Sequence, residues 1–530
     1  MRGAIFRSVS LPDSSLVEMK RAAIHRNRRR GGGQIIPFGL SGNLSDKQTI
    51  PETIEPFRSI NPMTNEYYNM MKTITQLLSR CLIWTLPFLG INQASFSQQP
   101  SSGWKAAVST VAITPQESMW MAGYAARDHP SEGVRHAIWA KALVLEDRSG
   151  NLAVLVTTDL VGIRQELSQR IRDRLMDQYG LSRDQVILNS SHTHTGPETD
   201  YARYQFQLDQ VQLDKIKRYA ESVEDKIVDL VGSTMKSLKP VQLFAENGVT
   251  RFQVNRRNNK EASLVHQEKL NGPNDYAVPV LKITAEQGDM IALVFGYACH
   301  PTVLSDYFIS GDYAGFAQLE LEERYPGTAA LFFQGAGADQ NPLPRRTVPL
   351  ARQYGKELAA AVERVLHEEM RPLDSELATA YSEIDLNFAK PSPSREELVE
   401  IKGEDSGYPD YLKQNAKVLI AKLDKGESLI TSYPYPVQVW RLGDQAIFSF
   451  GGELLIGYAI ALKQLFGPDT FVMGYSNDVM AYIPTRTVLQ EGGYEGSRSP
   501  IFTSPWASDI EERILAEALK LAETAGIPTR

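Results

Sequence analysis

His192 and His194 stand two apart in Ser191-His192-Thr193-His194-Thr195-Gly196-Pro197, directly after the apolar run Val186-Ile187-Leu188. Neutral imidazole is the commonest nitrogen ligand of zinc and a good proton carrier near neutral pH. Residues i and i+2 of a strand share a face. Both rings are therefore expected on one side as the strand ends, before Gly-Pro breaks the chain into a loop. Three more loops after apolar runs carry comparable side chains. They are Tyr297-Ala298-Cys299-His300-Pro301, Phe450-Gly451-Gly452-Glu453, and the stretch from Ser476 to Tyr482. Two histidines, Glu453 and Tyr482 make a nitrogen and oxygen set that suits zinc and leaves a position for water. Loops of this kind can equally be structural, and composition alone does not separate the two readings.

The elements that must position these residues follow from periodicity. Strands are expected at 108–113, 138–146, 152–158 and 186–190, with an amphipathic helix over 161–179 stopped by Gly180. Residues 152–190 then form a β-α-β unit of parallel strands. A long helix is expected at 208–238, a hairpin at 278–297, a buried strand at 329–333, and a helix at 350–368. Residues 394–425 read as polar, helical and peripheral, opened by a Ser394/Glu397 capping box. A second hairpin at 437–450, a helix at 454–466, a strand at 470–475 and a helix at 509–524 complete the chain. The expected fold class is α/β, with mixed parallel and antiparallel sheets, flanking helices and a single large catalytic domain over 98–530. Asp159, at a strand end, is either a partner that orients a ligand histidine or an N-cap for the helix after it.

The chain has 530 residues, 42% hydrophobic and 22% charged, with a net charge of −7. That is ordinary globular composition and ample for a core. The clearest basic run, His25-Arg26-Asn27-Arg28-Arg29-Arg30, lies in a Gly-rich leader, so no nucleic-acid partner is expected. Residues 1–69 read as a disordered or misassigned leader. Residues 70–97 carry a weakly basic start, the apolar run 81–91 and Ser95-Phe96-Ser97, the three-part layout of a signal peptide. Translation from Met70 or Met71 and a secreted or periplasmic protein are the corresponding expectations. Of the two cysteines, Cys81 and Cys299, the second reads as a small buried hydrophobe rather than a nucleophile.

An ordered set of motifs over roughly 103–525 resembles the neutral (non-lysosomal) ceramidases in their N-terminal catalytic domain. Ala122-Gly123-Tyr124-Ala125 and Gly133-Val134-Arg135-His136 resemble that family's Gly-Tyr-Ala and Gly-Ile-His segments. Ser191 to Pro197 resembles Thr-His-Thr-His-Ser-Gly-Pro, and Val254-Asn255-Arg256 its Asn-Arg segment. Gly452-Glu453 resembles Pro-Gly-Glu. The stretch from Tyr482 to Gly493-Tyr494-Glu495-Gly496 resembles Tyr-Val-Thr-Thr…Tyr-Glu-Gly. The resemblance implies a Zn2+ ion held by His192, His300, Glu453 and Tyr482. It also implies His194 as general acid/base, Arg256 and Tyr494 as oxyanion donors, and Gly123 and His136 at the substrate. Hydrolysis of an N-acyl amide, ceramide-like lipids being the nearest candidate, is the implied activity, with a lipid amide partner and peripheral membrane contact.

Two departures from the family pattern stand out. Members commonly carry Gly-Asp-Val-Ser-Pro-Asn where this chain has Ala338-Asp339-Gln340-Asn341-Pro342, so Asn341 replaces a serine. If that serine is the nucleophile in the family, this chain is inactive; if zinc-activated water attacks directly, Asn341 can still donate a hydrogen bond. The family's immunoglobulin-like C-terminal domain has no expected counterpart here. Other hydrolase signatures fail. There is no Gly-x-Ser-x-Gly elbow, His367-Glu368-Glu369-Met370 lacks a second histidine, and Gly335-Ala336-Gly337 lacks the third glycine of a dinucleotide fingerprint. An esterase, a hydrolase of a non-lipid amide, or a non-catalytic metal-binding relative are the alternative readings of the same site.

Overall fold

The structure, a computed structural model, describes residues 103–497 and 504–530. The leader and the expected signal segment lie outside the described residues. Among the described residues no helix is long and apolar enough to cross a membrane.

A nine-stranded sheet forms the centre. Its order is Ala329–Gln334, Met290–Tyr297, Ala277–Ala285, Lys239–Val249, Trp104–Ala112, Trp139–Glu146, Leu152–Thr158 and Val186–Ser190, with Arg371–Pro372 added beside Lys239–Val249. Two edges of this sheet are parallel pairs, Leu152–Thr158 with Val186–Ser190 and Met290–Tyr297 with Ala329–Gln334. The pairs between them are antiparallel. A second sheet, Leu377–Asn387, Ser432–Leu442, Gln445–Phe450 and Phe471–Met473, packs face to face on the first. Trp104, Leu155, Ile187, Leu331 and Phe333 from one meet Trp440, Leu442, Ile447 and Phe471 from the other. Helices Gln165–Tyr179 and Gln210–Met235 cover half of the large sheet's other face, and Asp312–Arg324 and Val348–Leu366 cover the rest. Helix Ile510–Thr524 lies against the smaller sheet. Burial on both faces explains why most strands read as unbroken apolar runs rather than as alternation. The mixed α/β architecture expected from the sequence is what forms.

The differences have local causes. The helix expected over 161–179 starts only at Gln165, because the carbonyls of Leu160 and Val161 are used by His192. The strand Lys239–Val249 was not expected; it contains Pro240 and Asn247-Gly248, residues that disfavour a strand interior. Gly248 is there because a Cβ would sit 2.5 Å from the Ala361 carbonyl of helix Val348–Leu366; the helix packs directly on the strand backbone. Leu377–Asn387, whose sequence is half polar, also becomes a strand, eleven residues registered against Ser432–Leu442. Residues 394–425 split into helices Arg395–Lys402 and Asp410–Asp424, and the Ser394/Glu397 capping box is present.

Candidate active site

The strand Val186–Ser190 ends two residues before His192, and His192 itself is in the left-handed region at φ 64°. A left-handed turn, not strand alternation, therefore brings the two imidazoles together. Such a conformation at a non-glycine residue costs on the order of 1 kcal/mol and persists only where the surroundings enforce it. Here the enforcement is visible. His192 N donates to Leu160 O at 2.9 Å, and His192 Nδ1 donates to Val161 O at 2.5 Å. The Tyr475 ring packs on the imidazole at 4.4 Å between centroids. Asp159 does not orient either histidine; its carboxylate accepts from Trp139 N and Gln318 Nε2. Nor does it cap the helix, whose N-cap is Arg164.

His300 follows the strand Met290–Tyr297 and is fully buried. Its Nδ1 donates to Gly337 O at 2.8 Å. Carbonyls can only accept, so Nδ1 carries the proton in both His192 and His300, and each Nε2 offers a lone pair. Both lone pairs face one oxygen. Glu453 Oε2 lies 3.4 Å from His192 Nε2 and 3.2 Å from His300 Nε2. With both rings neutral these approaches are not hydrogen bonds, because no proton then lies between the atoms; His300 Nε2 and Glu453 Oε2 are buried without another partner. Buried polar atoms of one kind gathered in this way require a cation or proton among them. Ligand atoms about 2.0–2.1 Å from a tetrahedral zinc lie about 3.3 Å apart, so the observed spacing fits that ion. His194 joins from the side, with Nε2 at 3.1 Å from His192 Nε2. The ligating atoms of His192, His194 and His300 all lie within 4.8 Å of one another.

Burial and then the Arg256 charge push the His300 pKa down to about 4. Burial, reinforced by the other two imidazoles, holds His194 well below its usual value. Burial alone would push the Glu453 carboxyl up; the facing imidazoles, when charged, outweigh it and hold it well below the carboxylate range. A bound cation acts in the same direction.

Glu453 and Tyr482 are registered partners in a short parallel pair, Glu453–Leu454 with Tyr482–Ile483. The pair depends on Gly452, at φ 69°, where a Cβ would lie 2.8 Å from Ala481 O. The Tyr482 hydroxyl accepts from Arg256 Nη2 at 3.2 Å. Arg256 Nη1 donates to Asn341 Oδ1 at 3.3 Å. Another short pair, Gln253–Asn255 with Gln340–Pro342, sets that contact. Tyr494 is half exposed, with its ring 5.2 Å from that of Tyr482 and 5.6 Å from the Arg256 guanidinium. Gly123, at φ 96°, lies directly beneath His194, and the Tyr124 ring meets the His194 ring edge-on. His136 has both nitrogens engaged by backbone, Nδ1 by Ala137 O and Nε2 by Gly311 N. It packs against Gly315 and Phe316.

Cys299 is buried, and burial raises its thiol well above the usual value, which suits a small hydrophobe. Two contributors escaped the sequence reading. Tyr475 adds its ring to His192, and Glu495 accepts from Arg256 Nε at 2.8 Å. Glu495 is 239 positions from Arg256, and no local pattern links them.

Residues 107–341 match the neutral/alkaline non-lysosomal ceramidase family, N-terminal. That match contains His192, His194, Arg256, His300 and Asn341, and the motif resemblance is borne out there. Glu453, Tyr482 and Tyr494 lie beyond it and join the cluster through the fold. Neutral ceramidase B of Dictyostelium discoideum is 27% identical over 278 residues, 48% of this chain and 38% of the relative. Neutral ceramidase of Pseudomonas aeruginosa is 28% identical over 235 residues, 42% of this chain and 34% of the relative. The matched stretches thus span little more than a third of these relatives. The crystal structure of neutral ceramidase from Pseudomonas aeruginosa superposes with a TM-score of 0.62 at 20% identity, covering 81% of this chain and 75% of that one. A ceramidase complexed with C2 gives the same TM-score at 17% identity. The mixed-sheet fold of this chain is therefore shared with solved structures.

Proposed function

We propose that this chain is a zinc-dependent hydrolase of N-acyl amides, with ceramide-like lipids the nearest substrate class. The observation that carries the reading is the pair of carbonyl-pinned imidazoles presenting two lone pairs to one buried oxygen of Glu453. His192, His300, Glu453 and Tyr482 would hold the ion. Zinc bound there supplies a Lewis acid and a source of hydroxide near neutral pH.

The remaining chemistry belongs to the chain. His194 takes a proton from the attacking water and returns it to the amide nitrogen as the C–N bond breaks, leaving a free acid and a free amine. Its low pKa keeps it unprotonated and able to act as a base. Arg256 and Tyr494 hydrogen-bond the carbonyl oxygen as negative charge develops on it. The side chain of Asn341, held by Arg256, faces the same region and orients the amide rather than attacking it. A second assignment for His194, as a third nitrogen ligand, is favoured by the tight grouping of the three imidazoles. Zinc content of a His194→Ala variant separates the two.

The test is turnover of N-acylsphingosine and of simpler N-acyl amides, before and after metal stripping, with zinc added back. Turnover that survives complete metal removal ends the proposal. An ester panel alongside discriminates the esterase alternative. Export is part of the proposal, with residues 70–97 acting as the signal. A mature natural chain that retains residues 1–69 would overturn that part.

A further inference from the structure

We infer that Glu495 is the positioning residue of this site. It fixes Arg256 against Tyr482 and Asn341 and offsets the arginine's charge beside the proposed metal ligands. This inference rests on the functional reading above and assigns a role to a residue that the reading leaves out.

Arg256 spends each of its nitrogens on a different partner. Nε donates to Glu495 Oε1 at 2.8 Å, Nη1 to Asn341 at 3.3 Å and Nη2 to the Tyr482 hydroxyl at 3.2 Å. The first is the short, charge-assisted contact, and such bonds are about twice as strong as neutral ones. It sets the plane of the guanidinium, and the two longer bonds follow from that plane. Glu495 is in turn held from the other side: its Oε2 accepts from Arg257 Nη1 at 2.8 Å. Arg257 also reaches Gly492 O and Glu491. Adjacent arginines thus grip one carboxylate that is 5% exposed. The same grip ties Gly493–Ser497, which carries Tyr494, to the loop that carries Arg256.

The electrostatic consequence is direct. A guanidinium at hydrogen-bond distance from a phenol favours its ionised form but repels a dication bound near it. One buried carboxylate on that guanidinium offsets the repulsion without removing the donors. Partners hydrogen-bonded directly to a metal ligand, as Arg256 is to Tyr482, typically alter affinity or activity about 10- to 100-fold, and Glu495 acts through that partner.

The experiment compares Glu495→Gln and Glu495→Asp with the wild-type full-length chain. Two readouts are used: zinc affinity by chelator competition, and the separate kcat and KM for an N-acyl amide. Glu495→Gln should weaken zinc binding by about tenfold or more and lower kcat by a similar factor, with KM changed much less. Glu495→Asp should recover part of both. Circular dichroism checks that each variant is folded, and Glu495→Asp decides the matter if Glu495→Gln is not. Wild-type zinc affinity and kcat in folded Glu495→Gln would overturn the inference. If the wild-type chain cleaves no N-acyl amide, the functional reading fails. The zinc competition then still decides the role of Glu495.

Discussion

His300 Nε2 lies 3.2 Å from Glu453 Oε2, although His300 already spends its ring proton on Gly337 O through Nδ1. With the ring neutral, two acceptors thus face each other with no proton to share. Their burial makes that arrangement expensive unless a cation fills it. Removing one member leaves the other an uncompensated buried group. His300→Ala and Glu453→Ala should each purify with far less than one equivalent of zinc, while the wild type holds about one. Elemental analysis after dialysis checks this. Stripping the metal should also lower the melting temperature, since a ligand at 100 times its dissociation constant adds about 2.7 kcal/mol to stability. A wild-type melting curve unmoved by chelator would contradict the metal assignment.

Asn341 sits opposite Val254 and accepts from Arg256. If it orients the substrate, Asn341→Ala should reduce kcat by about 10- to 100-fold, the range of one hydrogen bond to a charged group. If this position must supply a nucleophile, the wild-type chain, with an amide there, would be inactive and only Asn341→Ser would turn over substrate. Steady-state kinetics distinguish the outcomes, and Asn341→Ser should retain more activity than Asn341→Ala.

Gly123 is at φ 96°, and a Cβ there would lie 2.6 Å from His194 Cγ and 2.8 Å from His194 Cα. Gly123→Ala meets both a backbone penalty of about 1–3 kcal/mol and a clash with the backbone of His194. It should lower stability by that order and displace the imidazole. The measurable signature is a fall in kcat larger than that of a neighbouring surface mutation of equal stability cost. A Gly123→Ala protein with native kcat would show that His194 tolerates displacement and is not the proton carrier.

Asp478 is buried, and burial pushes its pKa up to about 7 despite a 2.6 Å hydrogen bond from the Tyr433 hydroxyl. In the unfolded chain an aspartate ionises near 3.9. Between these values the folded protein keeps a proton that the unfolded chain has lost, so this group's contribution is fully present below about pH 4 and gone above about pH 7. The loss is up to about 4 kcal/mol. Asp478→Asn should flatten that slope, making the variant relatively more stable at pH 8 than at pH 4. Denaturant melts at the two pH values check it, and an unchanged slope would refute the assignment.

Several parts of this molecule were legible from the residue order alone. The strands 152–158 and 186–190 were readable to the residue because short apolar runs containing β-branched residues and bounded by turn residues have few alternatives. The His-x-His pair was visible because ligands close in sequence leave a local pattern. The capping box at Ser394 was equally local.

What escaped has one physical cause: contacts between distant segments outweigh local propensity. Lys239–Val249 is a strand because three pairing strands and a helix close on it, in spite of Pro240 and Asn247-Gly248. His192 and His194 meet through a left-handed turn that Leu160, Val161 and Tyr475 enforce, not through the alternation of a strand. The grip of Glu495 on Arg256 joins residues 239 positions apart. The four-residue set of His192, His300, Glu453 and Tyr482 could be named in advance only through a family resemblance. Chain order supplied the chemical types of these side chains; the crossing of separate strand ends supplied their distances, because lone pairs converge only where the backbone is closed.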